Sequence, residues 1–156
     1  GRNEILLVDS GSGGSGGGAI LEGTQTNFFA VTQDGSTVCT APDGTVLAGT
    51  VRNLVLDVCH QEGIPVRMEP PEVALGGDGP GSIGEITWSE AFITSTSRLV
   101  LPVDQVVTTT SSPDDPYSVV RDFRYSHGSG AGESVVSRIS RGVHEGMAAV
   151  SVNVMA

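Results

Sequence analysis

Apolar and polar residues fall into blocks along this chain, and the blocks with a clear period mark its elements. Over residues 50–62, Val51, Leu54, Val55, Val58 and Cys59 recur at i, i+3, i+4, i+7 and i+8. That spacing puts all five on one face of a helix. Gly63 and Pro65 follow as a stop signal. Upstream, residues 27–32 and 37–40 are rich in β-branched and aromatic side chains and meet through Asp34-Gly35, which predicts a hairpin. Ala41-Pro42-Asp43-Gly44 predicts a second turn. Further strands are predicted over residues 4–9, 66–68, 91–94 and 99–103. Pro70-Pro71 ends the second of these, and Pro102 puts the last at an edge or bulge. Trp88-Ser89-Glu90 reads as a short helical turn and residues 95–98 as a polar turn. A short helix is predicted over 133–141, whereas residues 142–156 carry no periodicity. Strands alternating with at least one good helix make the fold class α/β (α+β).

Composition sharpens this picture at three points. With 156 residues, the chain has a prior of about one domain. Half of the 22 glycines lie in two patches, residues 11–18 and 76–84, which offer nothing to bury and read as flexible loops or insertions. The net charge of −10 argues against nucleic acid or an anionic lipid surface as the main partner. No apolar run approaches the ~18 residues of a membrane-spanning helix. The two cysteines, Cys39 and Cys59, lack metal-ligand spacing and read as buried, reduced small hydrophobes. All eight basic residues are arginine, so the chain contains no lysine.

Candidate chemistry lies in four places. Residues 11–16 satisfy G-x-G-x-x-G after a strand, but two more glycines follow without helical periodicity. A dinucleotide loop needs its third glycine to open a helix, so an insertion between strands is the better reading. Glu22 is an isolated carboxylate after Ile20-Leu21, partly buried and in need of a partner, with a turn held by Thr24 or Asn27 as the plain alternative. Gly49-Thr50-Val51 opens the clearest helix, whose free amides and positive dipole end suit an anion. Ser95-Thr96-Ser97 is a hydroxyl-rich turn whose amides could hold a second anion, or an ordinary solvated turn. His60, His127 and His144 read as surface or loop histidines.

The joint order of Glu22, Thr24, Asn27, Phe28-Phe29, Val38-x-Thr40, Leu47-x-Gly49 and Arg52 resembles fold type IV, the class IV aminotransferases that use pyridoxal phosphate. Thr50, where the family usually has an aliphatic residue, is the one departure. Leu-Glu-Gly-Thr-Gln-Thr-Asn-Phe-Phe and Glu-Ala-Phe-Ile-Thr-Ser are most similar to the plant and algal branched-chain-aminotransferase-like branch. The resemblance implies the large C-terminal domain of that fold, a pseudo-barrel of strands with flanking helices. Residues 1–106 would form its cofactor-binding core, with Gly-rich insertions at 11–18 and 76–84. Residues 107–156 would be a Ser/Pro/Gly-rich C-terminal region with one short helix, weakly matched. Glu22 would pair with the protonated pyridine nitrogen, and Asn27 would belong to the same cofactor site. The backbone amides of Thr50 and Val51, with Thr96, would hold the phosphate. The Thr96–Ser97 turn would also face the substrate carboxylate, and Arg52 would tie the helix start to the core.

The chemistry the resemblance implies needs a lysine that binds the cofactor covalently and shuttles a proton. Arginine cannot replace it, because the guanidinium stays protonated. The expectation is therefore a C-terminal fragment of an enzyme that transfers an amino group between a small amino acid and a 2-oxo acid. Its natural N-terminus would lie upstream of the strand at residues 4–9, the parent would be a homodimer, and this chain alone would be inactive. The alternatives are an inactive domain of the same fold, or a parent resembling an aminodeoxychorismate lyase or a D-amino-acid aminotransferase. Nothing in the sequence calls for a metal.

Overall fold

The computed structural model describes residues 4–9, 17–74, 88–109, 119–124 and 132–151. Its centre is the predicted hairpin of β3 (Asn27–Thr32) and β4 (Val38–Thr40), with Gly35 at φ 70° in the connecting turn. A left-handed backbone is cheap for glycine alone, which is why Asp34-Gly35 marks this turn. β7 (Trp88–Ser95) pairs antiparallel along the other edge of β3, and β8 (Leu99–Pro102) pairs only with β7, so Pro102 does end an edge strand. β5 (Val66–Arg67) runs parallel to β4 after the helix α1 (Thr50–Gln61). β1 (Leu6–Asp9), β2 (Gly17–Gly23) and β6 (Glu72–Ala74) extend the sheet to eight strands, joined to β3 where Glu22 meets Asn27. A separate antiparallel ribbon, β9 (Gln105–Thr109) with β10 (Val119–Arg124), precedes α2 (Val135–Ser151).

Both faces of the central strands are buried. Phe29 and Val31 of β3, with Phe92 of β7 and Val100 of β8, pack beneath α1 and α2. Phe28 and Ala30, with Ala91, Ile93 and Trp88, pack with Ile20 on the opposite face. Each face carries an aromatic pair: Phe29 stacks on Phe92 at 4.8 Å, and Phe28 tilts against Trp88 at 5.5 Å. The helical stripe read from sequence is the buried one, with Val51, Val55, Val58 and Cys59 facing the sheet and Leu54 half-buried beside them.

Four features differ from the sequence reading. Trp88-Ser89-Glu90 is strand, not a helical turn. The register slips so that Val31 opposes Glu90 while Thr32 opposes Trp88, leaving Ser89 as an extra residue. This bulge turns Trp88 onto the Phe28 face, and the Ser89 hydroxyl donates to Thr32 O at 2.8 Å. Gly17 and Gly18 are strand residues opposite Ala74 and Val73, because backbone pairing needs no side chain. Residues 11–16 and 76–84 lie outside the described residues. The region from 107 on, expected to hold one short helix, also contains β10 and most of β9, a ribbon with no apolar alternation to announce it. Finally, the helix expected over 133–141 continues to Ser151. Val136, Ile139 and Val143 are buried in the same core as α1, and Gly142, just past the expected end, lies against Val58.

Candidate functional site

The site is built where β2 turns into β3. Gly23 N–H donates to Thr26 O at 2.7 Å, which sets Glu22 directly across from Asn27. The two side chains reach 25 and 20 residues along the chain to the loop before α1. The Glu22 carboxylate accepts the Leu47 N–H at 3.1 Å, and the Asn27 amide donates to Leu47 O at 2.8 Å. The backbone of Leu47 is thus held from both sides, while its side chain stays 77% exposed. Of the two partners expected for Glu22, neither holds it: the Thr24 hydroxyl donates instead to Glu4 at 2.6 Å.

Gly49 precedes α1 in an extended conformation open to any residue, with φ −70° and ψ 140°. Its glycine is required by space, since a Cβ there would overlap Asn27 Oδ1. No side chain caps α1, so its first-turn amides are left to a partner from outside the helix. Arg52 fixes this end of the helix. It is 1% exposed, it pairs with Asp43 at 2.6 Å, and it donates to Ala41 O at 2.9 Å. That is the structural role read from sequence.

The third wall is the turn between β7 and β8. Arg98 N–H donates to Ser95 Oγ at 3.2 Å, and Ser95 and Ser97 hydroxyls lie 3.3 Å apart. Leu99 closes the turn at φ 55°, a left-handed conformation that costs a side-chain-bearing residue about 1–2 kcal/mol. Packing of its side chain against the helix-side core holds it there.

These three walls line one open cavity of about 230 Å³. Glu22, Asn27, Thr50, Val51 and Thr96 all line it, whereas Ser97 does not. Ser97 turns its hydroxyl back toward Ser95, within its own turn. Glu22 is the one ionisable side chain among the described residues of the lining. Leu47 of the motif and Ser95 of the hydroxyl turn also line the cavity, as do Gln25, Thr26 and Thr94, which had no role in the sequence reading. Thr94 is the most telling of them, since a hydroxyl closing the apolar run Ala91-Phe92-Ile93 was a visible signal. Two lining hydroxyls, of Thr26 and Thr94, are buried without a hydrogen-bond partner. Among the described residues no His, Cys, Asp and Glu cluster could hold a metal ion. His60 and His144 lie exposed on the helices, away from the cavity.

The amino-transferase class IV family matches residues 4–106, the span that contains every wall of this cavity. The chain belongs to that family. Its fold is also similar to solved structures. One is a branched-chain aminotransferase from Thermoproteus uzoniensis with norvaline, at TM-score 0.57 and 17% identity over 91% of this chain and 36% of that one. Another is an aminotransferase from Brucella abortus bound to pyridoxal phosphate, at TM-score 0.51 and 21% identity over 83% and 36%. A branched-chain aminotransferase from Escherichia coli matches at TM-score 0.46 and 24% identity over 65% and 29%. The chain therefore spans about a third of the length of these structures. A comparison with curated proteins finds no significant match.

Proposed function

We propose that this chain forms the cofactor-binding wall of a pyridoxal-phosphate-dependent aminotransferase that moves an amino group between a small amino acid and a 2-oxo acid. The observation that carries the proposal is the convergence of Glu22, the uncapped start of α1 and Thr96 on one cavity. The donor set suits the group chemically. A carboxylate at one end meets a ring N–H, amides and hydroxyls at the other meet a phosphate, and two orphaned hydroxyls await acceptors. The volume of about 230 Å³ lies below the roughly 300–1,000 Å³ of a complete ligand cleft, in keeping with one wall of a larger site.

When bound, pyridoxal phosphate supplies an electron-withdrawing ring that accepts charge from a carbon losing its proton. Each residue of this chain supports that chemistry by position. The Leu47 N–H fixes one oxygen of Glu22, leaving the other to accept the ring N–H and keep that nitrogen protonated. Asn27 holds the Leu47 carbonyl, so the exposed Leu47 side chain is set beside Glu22 as an apolar surface for the ring. The amides of Thr50 and Val51 and the hydroxyl of Thr96 bind the phosphate, drawing on the positive end of α1. The backbone of Thr96, at the cavity side of its turn, faces the substrate carboxylate. Proton transfer needs a lysine, which these 156 residues do not contain, so it is supplied from outside them.

A branched-chain substrate, a homodimeric parent and a core formed by residues 1–106 go with this reading. Calorimetric titration with pyridoxal 5′-phosphate tests it, and binding that is lost on Glu22→Ala is the expected result. Borohydride treatment followed by mass spectrometry should leave no covalent adduct beyond the terminal amine. Failure of the chain to bind the compound would overturn the proposal. The absence of lysine by itself favours a second reading, an inactive domain of the same fold. The coding sequence separates the two: a lysine-bearing strand encoded before Gly1 supports the transaminase, and a start codon near Gly1 supports the inactive domain.

A further inference from the structure

We infer that Thr94 is a further ligand-binding residue of the cavity, its hydroxyl donating to the anionic end of the bound molecule. The inference rests on reading the cavity as a site for a pyridine ring carrying a phosphate. Thr94 of β7 lies in register with Asn27 of β3, as Phe92 does with Phe29. Cross-strand partners share a face, and Phe29 and Phe92 belong to the face covered by α1 and α2. Thr94 and Asn27 therefore end that row on the helix side. Asn27 locates the end of the row beneath the start of α1, for its amide oxygen lies against Gly49.

Packing alone does not account for a threonine here. Thr94 is 2% exposed, and its hydroxyl has no hydrogen-bond partner. Valine would fill the same space without an orphaned polar atom, whose burial costs stability. The comparison within the same sheet is Thr40, 1% exposed, whose hydroxyl donates to Phe28 O at 2.8 Å. Thr26 is the other orphan of the lining, but it belongs to the β2–β3 turn at the Glu22 end, packed over Gly23. Of the two orphans, Thr94 on β7 is the one across Asn27 from Glu22 and two residues before Thr96, on the side where the open amides of α1 already favour negative charge. With Glu22 as the single ionisable lining residue among the described residues, a phosphate at that end is bound by neutral donors of this chain, and Thr94 is one of them.

The experiment compares the wild-type chain with Thr94→Val and Thr94→Ser. Each is titrated calorimetrically with pyridoxal 5′-phosphate and with pyridoxal, and thermal unfolding is recorded without ligand. Thr94→Val should bind pyridoxal 5′-phosphate about ten- to a hundredfold more weakly, the worth of a hydrogen bond to a charged group. It should bind pyridoxal as the wild type does, and its ligand-free unfolding midpoint should rise. Thr94→Ser, which keeps the hydroxyl, should retain affinity close to wild type. Equal affinity of Thr94→Val and wild type for the phosphate ester overturns the inference, as does an equal loss for pyridoxal. A lower unfolding midpoint for Thr94→Val overturns it too, because the hydroxyl would then have a partner within the protein. If Thr94→Val does not fold, Thr94→Ser decides: wild-type affinity supports the role, and a tenfold loss overturns it. Absence of wild-type binding overturns the cofactor reading, and this inference with it.

Discussion

Gly49→Ala perturbs the cavity at its tightest joint. The backbone there, at φ −70° and ψ 140°, accepts alanine, so the unfolded-state entropy effect favours the variant by about 0.4–1 kcal/mol. The new methyl, however, overlaps Asn27 Oδ1, and Asn27 is buried at 6% exposure. Overpacking of this kind costs about 1–3 kcal/mol. Moving the Asn27 amide also breaks its 2.8 Å bond to Leu47 O, a further ~0.5–1.5 kcal/mol. The losses win, and the net destabilisation is about 1–3 kcal/mol. With a urea slope of about 1–3 kcal/mol per molar, the midpoint should fall by roughly 1 M. Because Asn27 and Glu22 hold the same residue, the affinity for pyridoxal 5′-phosphate should fall as well. A Gly49→Ala chain with the wild-type midpoint and wild-type affinity would refute the reasoning, since Asn27 could then move freely.

Other predictions follow from equally local facts. Gly142→Ala puts a methyl 2.7 Å from Val58 Cγ1 and should destabilise the α1–α2 contact, whereas Gly146→Ala meets nothing nearer than Leu54 Cδ2 at 4.0 Å and should gain about 1 kcal/mol of helix propensity. Thermal unfolding midpoints that move in the same direction would contradict this. The Asp34 carboxyl is lowered from 3.8 to about 2 by hydrogen bonds from the Thr32 hydroxyl and from the hydroxyl and N–H of Ser36. Its folded value lies below its unfolded one, so its contribution is present above pH 3.8 and is lost as pH falls toward about 2. Asp34→Ala should be less stable than wild type at neutral pH and equal to it near pH 2, and a gap independent of pH would be contrary evidence. Burial pushes the Cys59 thiol up to about 11, so alkylation of the native chain should label half-buried Cys39 first and reach Cys59 only on unfolding. Peptide mapping after iodoacetamide treatment would show the order.

How much was legible in the sequence depended on the range of the interaction. The α1 face, the β3–β4 hairpin and its Asp34-Gly35 turn were readable because each follows from spacing within a dozen residues. The class IV motif was readable for another reason, since Glu22, Asn27, Leu47, Gly49 and Arg52 keep fixed order and residue type. Local period also misled where a feature depends on a neighbour. Gly142 reads as lying past the helix end until α1 lies against it, and Gly17-Gly18 read as loop until β6 supplies the partner strand. The bulge at Ser89 turns Trp88 to the other face through a register that no single strand encodes.

The cavity divides in the same way. Sequence alone determined which groups could serve a ring and a phosphate, because a carboxylate, a helix start and a hydroxyl turn are chemical identities. It determined as firmly that no amine of a lysine is among them. Only the tertiary structure decided that Glu22 and Asn27 both grip Leu47, that Ser97 turns away, and that Thr94 ends a buried row with its hydroxyl unanswered. The reason is physical: residue type fixes what a group can donate or accept, but strand register and packing fix which groups meet.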